Sequence, residues 1–336
     1  MREKKVSLKD IAKEVGVSTA LVSYVLNGLA KEKRVGKEVV DKINKAAREL
    51  NYQPNQIARS LRKGSTNTLG LIVADISNPF FAQLARVIED EAAKNNYTVV
   101  FGSSDENCKK SESLIDTLLN RQVDGLIVAP TEGCTEHIIS LAKREVPIVL
   151  FDRYLPELST SHVVLNNYQA TYSAVEHFLL KGFTKIKLVA YKSAMIHMQE
   201  RIRGYKEAMV THGLARNSVV KEVRYNHIKS DMEKIFNEIE NENDTDAVLF
   251  ATNALSLEGL YAIRKKNMRV PEDIGVIGFD GHEAFDFFNP ALTYIQQPMD
   301  EMGKESVRIL IEQIKGSKKI VQVVLKSELI ERGSCG

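Results

Sequence analysis

The residues with the clearest chemical pattern lie near the N-terminus, and their chemistry is recognition by hydrogen bonds. Ser18 precedes a short apolar helical pattern and is predicted to cap that helix. The exposed side chains of the predicted helix are hydroxyl, amide and small apolar groups, namely Thr19, Ala20, Ser23, Tyr24 and Asn27. Hydroxyls and amides pair with base donors and acceptors, and small apolar groups contact the thymine methyl. We therefore expect these residues to contact double-stranded DNA.

A second set of polar side chains follows predicted β-strands further along the chain. Ligands of open α/β sheets bind at the carboxyl ends of the strands, so these side chains are candidates for a ligand pocket. They are Asp75, Asn78, Asp152, Arg153, Asn253 and Asp280. The aromatic candidates to stack on a sugar ring are Phe80 with Phe81, or one of Phe285, Phe287 and Phe288. The alternatives are that Asp75 and Asn78 cap a helix, Asp280 caps a turn, and Arg153 pairs with a surface acid.

No pattern for catalysis or for a bound cofactor accompanies these residues. The first predicted strand is not followed by GxGxxG, the chain has no GxxxxGK[ST], GxSxG or HExxH, and its seven histidines are scattered. The cysteines are odd in number, widely spaced and without a CxxC pair: Cys108, Cys134 and Cys335. We predict ordinary thiols, no metal, no cofactor and no enzymatic activity.

Two short helices joined by a tight turn must position the N-terminal group. The first has apolar residues at helical spacing from Leu8 to Val15, Gly16 supplies the turn, and a third helix is predicted from Lys37 to Leu50. Residues 1–65 carry 15 Lys and Arg against 7 Asp and Glu, a net charge of +8, and the remaining 31 against 37 give −6. Concentrated positive charge favours DNA binding. The alternatives are a purely structural helical bundle and a solvated basic tail.

The remainder of the chain alternates short apolar strands with amphipathic helices. One run extends from Leu69 to Asp152 and a second begins at HVVLNN, so we predict two Rossmann-like subdomains with parallel sheets. Residues 1–8 have no apolar segment, and no stretch approaches the roughly 18 apolar residues of a membrane span. We expect no signal peptide, no membrane partner and a cytoplasmic location.

Two segments, VSLKDIAKEVGVSTALVSYVLNG and ELNYQPNQIARSLRKG, resemble the headpiece and hinge of the lactose-repressor/galactose-repressor family. The resemblance covers essentially the whole chain. It implies an all-α helix-turn-helix headpiece followed by an α/β effector domain like the periplasmic binding proteins. It implies a headpiece at 1–54, a hinge helix and linker at 55–66, an N-subdomain at 67–165 plus 298–324, and a C-subdomain at 166–297 plus 325–336.

The resemblance also assigns DNA contacts. It implies base reading by Thr19, Ala20 and Tyr24, but relatives usually have Arg where this chain has Tyr24, so we expect different base preferences. The hinge contacts it implies are Asn55, Ala58, Arg59 and Leu61, with Leu61 as a wedge in the minor groove. A nine-residue helix is too short to be stable alone, so the hinge should fold on DNA. The alternative is a flexible charged linker with Leu61 buried in the body.

In the effector domain, the resemblance implies that Arg201 anchors a ligand oxygen or carboxylate and that Gln297 faces the cleft. One polar group common in relatives is replaced by Ala254, after Asn253. The implied function is a transcriptional repressor that binds a palindromic operator as a homodimer under control of a sugar or sugar-acid effector; two arginines near the cleft suit an acidic ligand. The alternative is a periplasmic-type receptor, which requires a signal peptide and no DNA-binding head.

Overall fold

A computed structural model describes residues 6–52, 64–242 and 244–336. The chain forms two compact units, Met1–Thr66 and Asn67–Gly336, and each is described separately.

Within the described part of the first unit, residues 6–52, the chain forms the three helices that the sequence predicts for the headpiece. They are α1 (Leu8–Val15), α2 (Thr19–Leu26) and α3 (Lys37–Glu49). The backbone N–H of Ser7 donates to Asp10 Oδ2 at 2.8 Å, and Gly16 ends α1 with a φ of 73°, a left-handed conformation that glycine adopts without steric cost. The core of this unit consists of Ile11, Ala12, Val22, Val25, Ile43 and Ala46. The turn between α1 and α2 gives the helix-turn-helix arrangement.

The second unit is built on two six-stranded sheets. Its strands are β1 (Thr68–Val73), β2 (Thr98–Ser103), β3 (Gly125–Val128), β4 (Ile148–Phe151), β5 (His162–Leu165), β6 (Ile186–Tyr191), β7 (Val219–Val223), β8 (Ala247–Phe250), β9 (Gly275–Phe279), β10 (Thr293–Gln296), β11 (Gln322–Leu325) and β12 (Glu328–Ile330). The first sheet has the order β11-β5-β4-β3-β1-β2 and the second β12-β10-β9-β8-β6-β7. The described pairs are parallel except for β10 with β12.

Helices cover both sheets. They are α4 (Pro79–Lys94), α5 (Cys108–Asn120), α6 (Thr135–Lys143), α7 (Asn167–Leu180), α8 (Ile196–Thr211), α9 (Ile228–Glu242), α10 (Asn253–Lys265) and α11 (Met299–Ile314). Helix α11 packs on α4 and on the first sheet, and α7 packs closely on α8 over the second. Short 3-10 turns complete the unit. The predicted architecture of two parallel α/β subdomains is thus confirmed.

The chain passes between the two sheets three times. It leaves the first sheet after β5, returns through α11 to β11, and ends in the second sheet with β12. The strand HVVLNN, expected to begin the second run, is β5 and lies in the first sheet, between β4 and β11. The last apolar segment divides at Lys326 and Ser327 into two strands that belong to different sheets.

All three cysteines are free thiols, and two of them are in contact although they are far apart in the sequence. Cys108 and Cys134, which are 26 residues apart, have their Sγ atoms 2.6 Å from each other. Across the described ranges, no helix is long and apolar enough to cross a membrane.

Candidate functional site

The outer face of α2 carries the predicted base-reading residues, outside the headpiece core. Its exposed side chains are Ser18, Thr19 and Ala20, and its half-buried ones are Ser23, Tyr24 and Asn27. The buried side chains of this helix are Val22 and Val25. Residues three and four apart share one helix face, so the polar positions form a single surface. The side chains that the sequence predicts on the outer face of α2 are thus the ones outside the headpiece core in the structure.

Two local contacts order this surface. The hydroxyl of Ser18 accepts from the backbone N–H of Leu21 at 3.2 Å, which caps the helix. The amide nitrogen of Asn27 donates to the carbonyl oxygen of Ser23 at 2.7 Å and lies 3.2 Å from its hydroxyl. Lys33 Nζ lies 5.9 Å from the ring centroid of Tyr24, which brings a positive charge to the edge of the face. The four predicted hinge residues lie outside the described ranges: Asn55, Ala58, Arg59 and Leu61.

The second candidate site is a cleft between the carboxyl ends of the two sheets in the second unit. On the β1 side, Asp75 Oδ1 accepts from the backbone N–H of Ser77 at 2.9 Å and from its hydroxyl at 2.7 Å. Asn78 caps α4 by accepting from the N–H of Phe80 at 3.1 Å. Asn78 therefore has the helix-capping role that the sequence analysis gave as the alternative to ligand binding. Asp75 has a second oxygen available for a partner.

Arg153, which follows β4, is a buried cation held by an acid that follows β2. Its Nη1 and Nη2 donate to the two carboxylate oxygens of Glu106 at 2.7 and 2.5 Å, a bidentate pair, and Nη1 lies 3.4 Å from the carbonyl oxygen of Pro130. The Nε of Arg153 lies 3.4 Å from Asp152 Oδ2. Burial raises the pKa of Asp152, an effect that the positive charges of Arg153 and Arg201 oppose.

Arg201 occupies the opposite wall. Its Nε donates to Asn167 Oδ1 at 2.7 Å and its Nη1 to the carbonyl oxygen of Ala251 at 2.6 Å. The guanidinium lies over the ring of Phe279, 3.7 Å from the centroid, in a cation–π contact. Burial lowers the pKa of Arg201, and Asp280 and Asp152 oppose that shift. The arginine is thus fixed by the protein before any ligand arrives.

Three polar side chains from separate elements meet beside Arg201. Gln297 Nε2 donates to Asp280 Oδ1 at 2.7 Å, and Asn253 Nδ2 donates to the backbone oxygen of Asp280 at 2.8 Å. Asp280 is 6% exposed, and burial raises its pKa to about 6 although Arg201 and the Gln297 hydrogen bond favour the charged form. The fold thereby assembles a carboxyl group whose charge changes near neutral pH.

A direct hydrogen bond joins the two sides of the cleft. Tyr225, which follows β7, donates its hydroxyl to Asp75 Oδ2 at 2.6 Å. Tyr191, at the end of β6, packs against Tyr225 with ring centroids 5.5 Å apart. Because Asp75 follows a strand of the first sheet and Tyr225 a strand of the second, this contact closes the cleft. Burial raises the pKa of Tyr191, and the negative charge of Glu106 shifts that pKa in the same direction.

Several buried polar atoms around the cleft have no hydrogen-bond partner among the described residues. They are Arg153 Nε, His197 Nδ1, Asn253 Oδ1 and Gln297 Oε1. Burial, followed by the charges of Arg153 and Arg201, lowers the pKa of His197 well below its usual range, so its imidazole is neutral at physiological pH. A cavity of about 500 Å³ is lined in part by Asp152, Asn167 and His197, and of the four residues with unpartnered atoms it is lined only by His197. A molecule with several hydroxyl groups could satisfy such donors and acceptors together.

The aromatic candidates lie in different surroundings. Phe80 and Phe81 pack edge to face with centroids 5.0 Å apart, and Phe285 is fully buried in the core of the second sheet. Phe287 is 88% exposed. Phe285 therefore has no free ring face for a sugar, and the aromatic pair at the ends of β6 and β7 borders the cleft instead.

The sequence analysis missed four residues of this cluster: Glu106, Tyr191, His197 and Tyr225. Tyr191 is the last residue of β6, and Glu106 and Tyr225 follow β2 and β7, so the rule that predicted Asp152 would have found these three if it had been applied to those strands as well. His197 lies on helix α8 and carries no strand-end signal. Among the described residues, no group of three or more His, Cys, Asp or Glu is arranged to hold a metal ion.

Comparison with known proteins matches both units. Residues 7–55 match the model of the lacI family of bacterial regulatory proteins, and residues 175–335 match a periplasmic binding protein-like domain. The chain is 32% identical over 316 residues to a probable HTH-type transcriptional regulator, EndR of Paenibacillus polymyxa. The alignment covers 92% of this chain and 90% of the relative.

A second relative has a named regulatory role. The chain is 32% identical over 308 residues to the ribose operon repressor of Halalkalibacterium halodurans, with 92% and 90% of the two chains covered. A solved structure of the lac repressor dimer, bound to operator and the anti-inducer ONPF, matches with a TM-score of 0.87 and 24% identity over 99% of both chains. That likeness shows a shared fold. Together these matches confirm the family resemblance and the two-part architecture.

Proposed function

Because the chain belongs to the lacI family of bacterial regulatory proteins, we propose that it represses transcription by binding an operator, under control of a small ligand. The observation that carries the DNA-binding half is the outer face of α2, whose polar side chains stand outside the headpiece core. In a helix-turn-helix, the second helix enters the major groove with such a face against the base edges. The effector half is supported by the buried polar cluster in the cleft.

We propose that the operator is a palindrome read by a homodimer. One helix-turn-helix makes few base contacts, and a two-fold dimer doubles them on an inverted repeat. Selection of bound sequences from a random DNA pool should return two inverted half-sites, and sedimentation should give twice the chain mass of 37.7 kDa. Enrichment of a single, non-repeated site would contradict the proposal.

Tyr24 provides a sharper test of base reading. Arginine pairs in a bidentate manner with guanine, at about 1–3 kcal/mol of discrimination, whereas tyrosine offers one hydroxyl and a ring. We expect Tyr24→Arg to change the preferred base at one position of each half-site, and we expect Tyr24→Phe to keep the rest of the site while weakening binding. If selected sites are identical for the wild type and both variants, Tyr24 does not contact bases.

The proposed hinge contacts are tested apart from the helix. We propose that Asn55, Ala58, Arg59 and Leu61 contact the minor groove, with Leu61 as the wedge. Leu61→Ala should then weaken specific operator binding much more than binding to random DNA, measured by titration at fixed salt because phosphate contacts are salt-dependent. An equal loss on both DNAs would contradict the wedge.

For the effector, we propose a neutral sugar rather than a sugar acid. The two arginines that suggested an acidic ligand already have protein acceptors, since Arg153 forms a bidentate pair with Glu106 and Arg201 donates to Asn167 and Ala251. Three of the unpartnered atoms, His197 Nδ1, Asn253 Oδ1 and Gln297 Oε1, are neutral donors and acceptors, which suit hydroxyl groups, whereas Arg153 Nε lies 3.4 Å from the carboxylate of Asp152. The ribose operon repressor among the relatives fits the same class of ligand.

A thermal-shift screen of the full chain tests this proposal. A ligand that binds only the folded state stabilises it by RT ln(1 + [L]/Kd), about 2.7 kcal/mol at a hundred times Kd. Neutral sugars should raise the melting temperature, and the matching sugar acids and phosphates should not. The reverse pattern would show that the charge argument is wrong. The active sugar should also change operator affinity, and the loss of that coupling would contradict its role as effector.

We further propose that this protein acts in the cytoplasm, where chromosomal DNA is found, and that its chemistry is recognition without turnover. A sugar that shifts the melting temperature should be recovered chemically unchanged after prolonged incubation with the protein. Conversion of that sugar into a product would contradict this part of the proposal.

A further inference from the structure

Two thiols lie in contact beside the cleft. Cys108 is the first residue of α5 and is half-buried, and Cys134 immediately precedes α6 and is 1% exposed. Their sulfur atoms are 2.6 Å apart, and Cys134 Sγ also lies 3.2 Å from Thr131 Oγ1. The two sulfurs are closer than non-bonded sulfur atoms rest. A disulfide bond is about 2.05 Å long, so only a small movement separates this pair from a covalent link.

We propose that Cys108 and Cys134 form a redox modification site, at which a hydroperoxide oxidises the two thiols to a disulfide that a dithiol reduces again. Disulfides in reducing compartments are usually transient and serve catalysis or redox sensing. Cys335, the third cysteine, is buried against Thr293 and His177 in the core of the second sheet, away from the other two.

The chemistry balances with the peroxide as the oxidant. The more accessible sulfur, that of Cys108, attacks one peroxide oxygen and gives up its proton; the O–O bond breaks, the other oxygen leaves as water from hydrogen peroxide or as an alcohol from an alkyl hydroperoxide, and a sulfenic acid remains. The sulfur of Cys134 then attacks the Cys108 sulfur, and the S–O bond breaks to release water. The two sulfurs together lose two electrons, which the peroxide gains. A dithiol reverses the process by exchange and is itself oxidised to a disulfide.

Burial raises the pKa of the Cys108 thiol to about 12, and its hydrogen bond with Cys134 acts in the same direction. Because the thiolate is the reacting form, the pair resists brief exposure to peroxide and oxidises under sustained exposure.

The location gives the disulfide a consequence for the cleft. Glu106, two residues before Cys108, and Pro130, four residues before Cys134, both contact Nη1 of Arg153, at 2.7 and 3.4 Å. The disulfide would therefore join the two segments that hold this arginine. Resting on the proposed effector cleft, we infer that oxidation fixes Arg153 in place and tightens ligand binding several-fold, since preorganisation reduces the entropy lost on binding.

Peptide mapping of the full-length protein tests the site. After treatment with hydrogen peroxide, rapid alkylation and trypsin digestion, we expect a linked pair of peptides, residues 95–109 with 122–143, lighter by two hydrogen atoms than their sum. Alkylatable thiols should fall from three to one and return with dithiothreitol. Cys335→Ser should still give this product, and Cys108→Ser or Cys134→Ser should not. Links that involve Cys335, links between chains, or three persistent thiols would overturn the proposal.

The consequence for the cleft has its own measurement. Peptide mapping of the wild type requires neither a folded variant nor a known ligand, so its result does not depend on whether the proposed function is correct. Once a sugar active in the thermal-shift screen is identified, its affinity should rise several-fold in the oxidised wild type and stay constant in oxidised Cys134→Ser. A linked peptide with unchanged affinity would support the disulfide and overturn its coupling to the cleft.

Discussion

Replacement of Asp280 by asparagine changes one buried charge with little change of shape. Asp280 follows β9 with a φ of 60°, a left-handed conformation that asparagine tolerates well. Its Oδ1 accepts from Gln297 and its backbone oxygen from Asn253, and an asparagine side-chain oxygen can keep the first of these contacts. The variant therefore removes a titrating carboxyl while keeping its hydrogen-bond role.

The magnitude follows from the pKa of Asp280, which burial raises from 3.8 to about 6. The folded state binds this proton more tightly than the unfolded state, so the associated stability is fully present below pH 4 and is lost as the pH rises through 6. One pKa unit corresponds to 1.36 kcal/mol, so the loss at pH 7.5 is about 3 kcal/mol. The asparagine variant has no such dependence at this position, because a side-chain amide does not titrate in this range.

We expect the unfolding free energies of Asp280→Asn and the wild type to differ by less than about 1 kcal/mol at pH 4 and by about 3 kcal/mol at pH 7.5. The variant should be the more stable protein. Urea denaturation of the full chain, followed by circular dichroism across this range, measures the difference. Asp231 and Asp273, which have lowered pKa values, are present in both proteins and cancel. Parallel pH profiles would refute the account of Asp280.

Three further predictions concern other parts of the fold. Tyr225→Phe removes the hydrogen bond to Asp75 and should weaken ligand binding by about 1 kcal/mol in calorimetry. Tyr261→Phe is the control, because the side chain of Tyr261 on α10 is 67% exposed, and it should leave the affinity unchanged. Gly204→Ala would place a Cβ 2.1 Å from the carbonyl oxygen of Tyr168 and should cost about 2 kcal/mol or more in urea, whereas Gly36→Ala meets nothing within 4 Å. Ser18→Ala removes the cap of α2 and should lower the stability of the headpiece by about 1 kcal/mol in thermal melts, and an unchanged melt would show that the cap does not stabilise the helix.

Local patterns in the sequence predicted the elements well, because local physics forms them. Apolar spacing, Ser18 and Gly16 were enough to place α1 and α2, since caps and turns depend on residues within one helical turn. The end of α3 differs by one residue, at Glu49 rather than Leu50. Strand-end reasoning found Asp280 in the same way, because a buried apolar run followed by an acid is readable from the sequence.

What the sequence did not reveal depends on partners far apart in the chain. Arg153 and Glu106 are 47 residues apart, and Tyr225 and Asp75 are 150 apart. No periodicity encodes which strand end faces which, since strand order in a sheet arises from packing. The Cys108–Cys134 contact has the same origin, and counting cysteines gave no sign of it. The expectation of an acidic ligand counted two arginines without the protein acceptors that they have in the fold, and it stays a prediction that the thermal-shift screen tests.

The cleft contains enough unsatisfied hydrogen bonding to act as a switch. His197 Nδ1, Asn253 Oδ1 and Gln297 Oε1 are buried without partners among the described residues, and each such atom costs roughly 1–3 kcal/mol. A ligand that satisfies all three only when the cleft is closed therefore favours the closed arrangement by roughly 3–9 kcal/mol. A shift from 1:99 to 99:1 between two states requires about 5.5 kcal/mol, which lies inside that range. The contact between Tyr225 and Asp75 contributes about 1 kcal/mol, well below that value, so we expect the population of the closed arrangement to depend on the ligand.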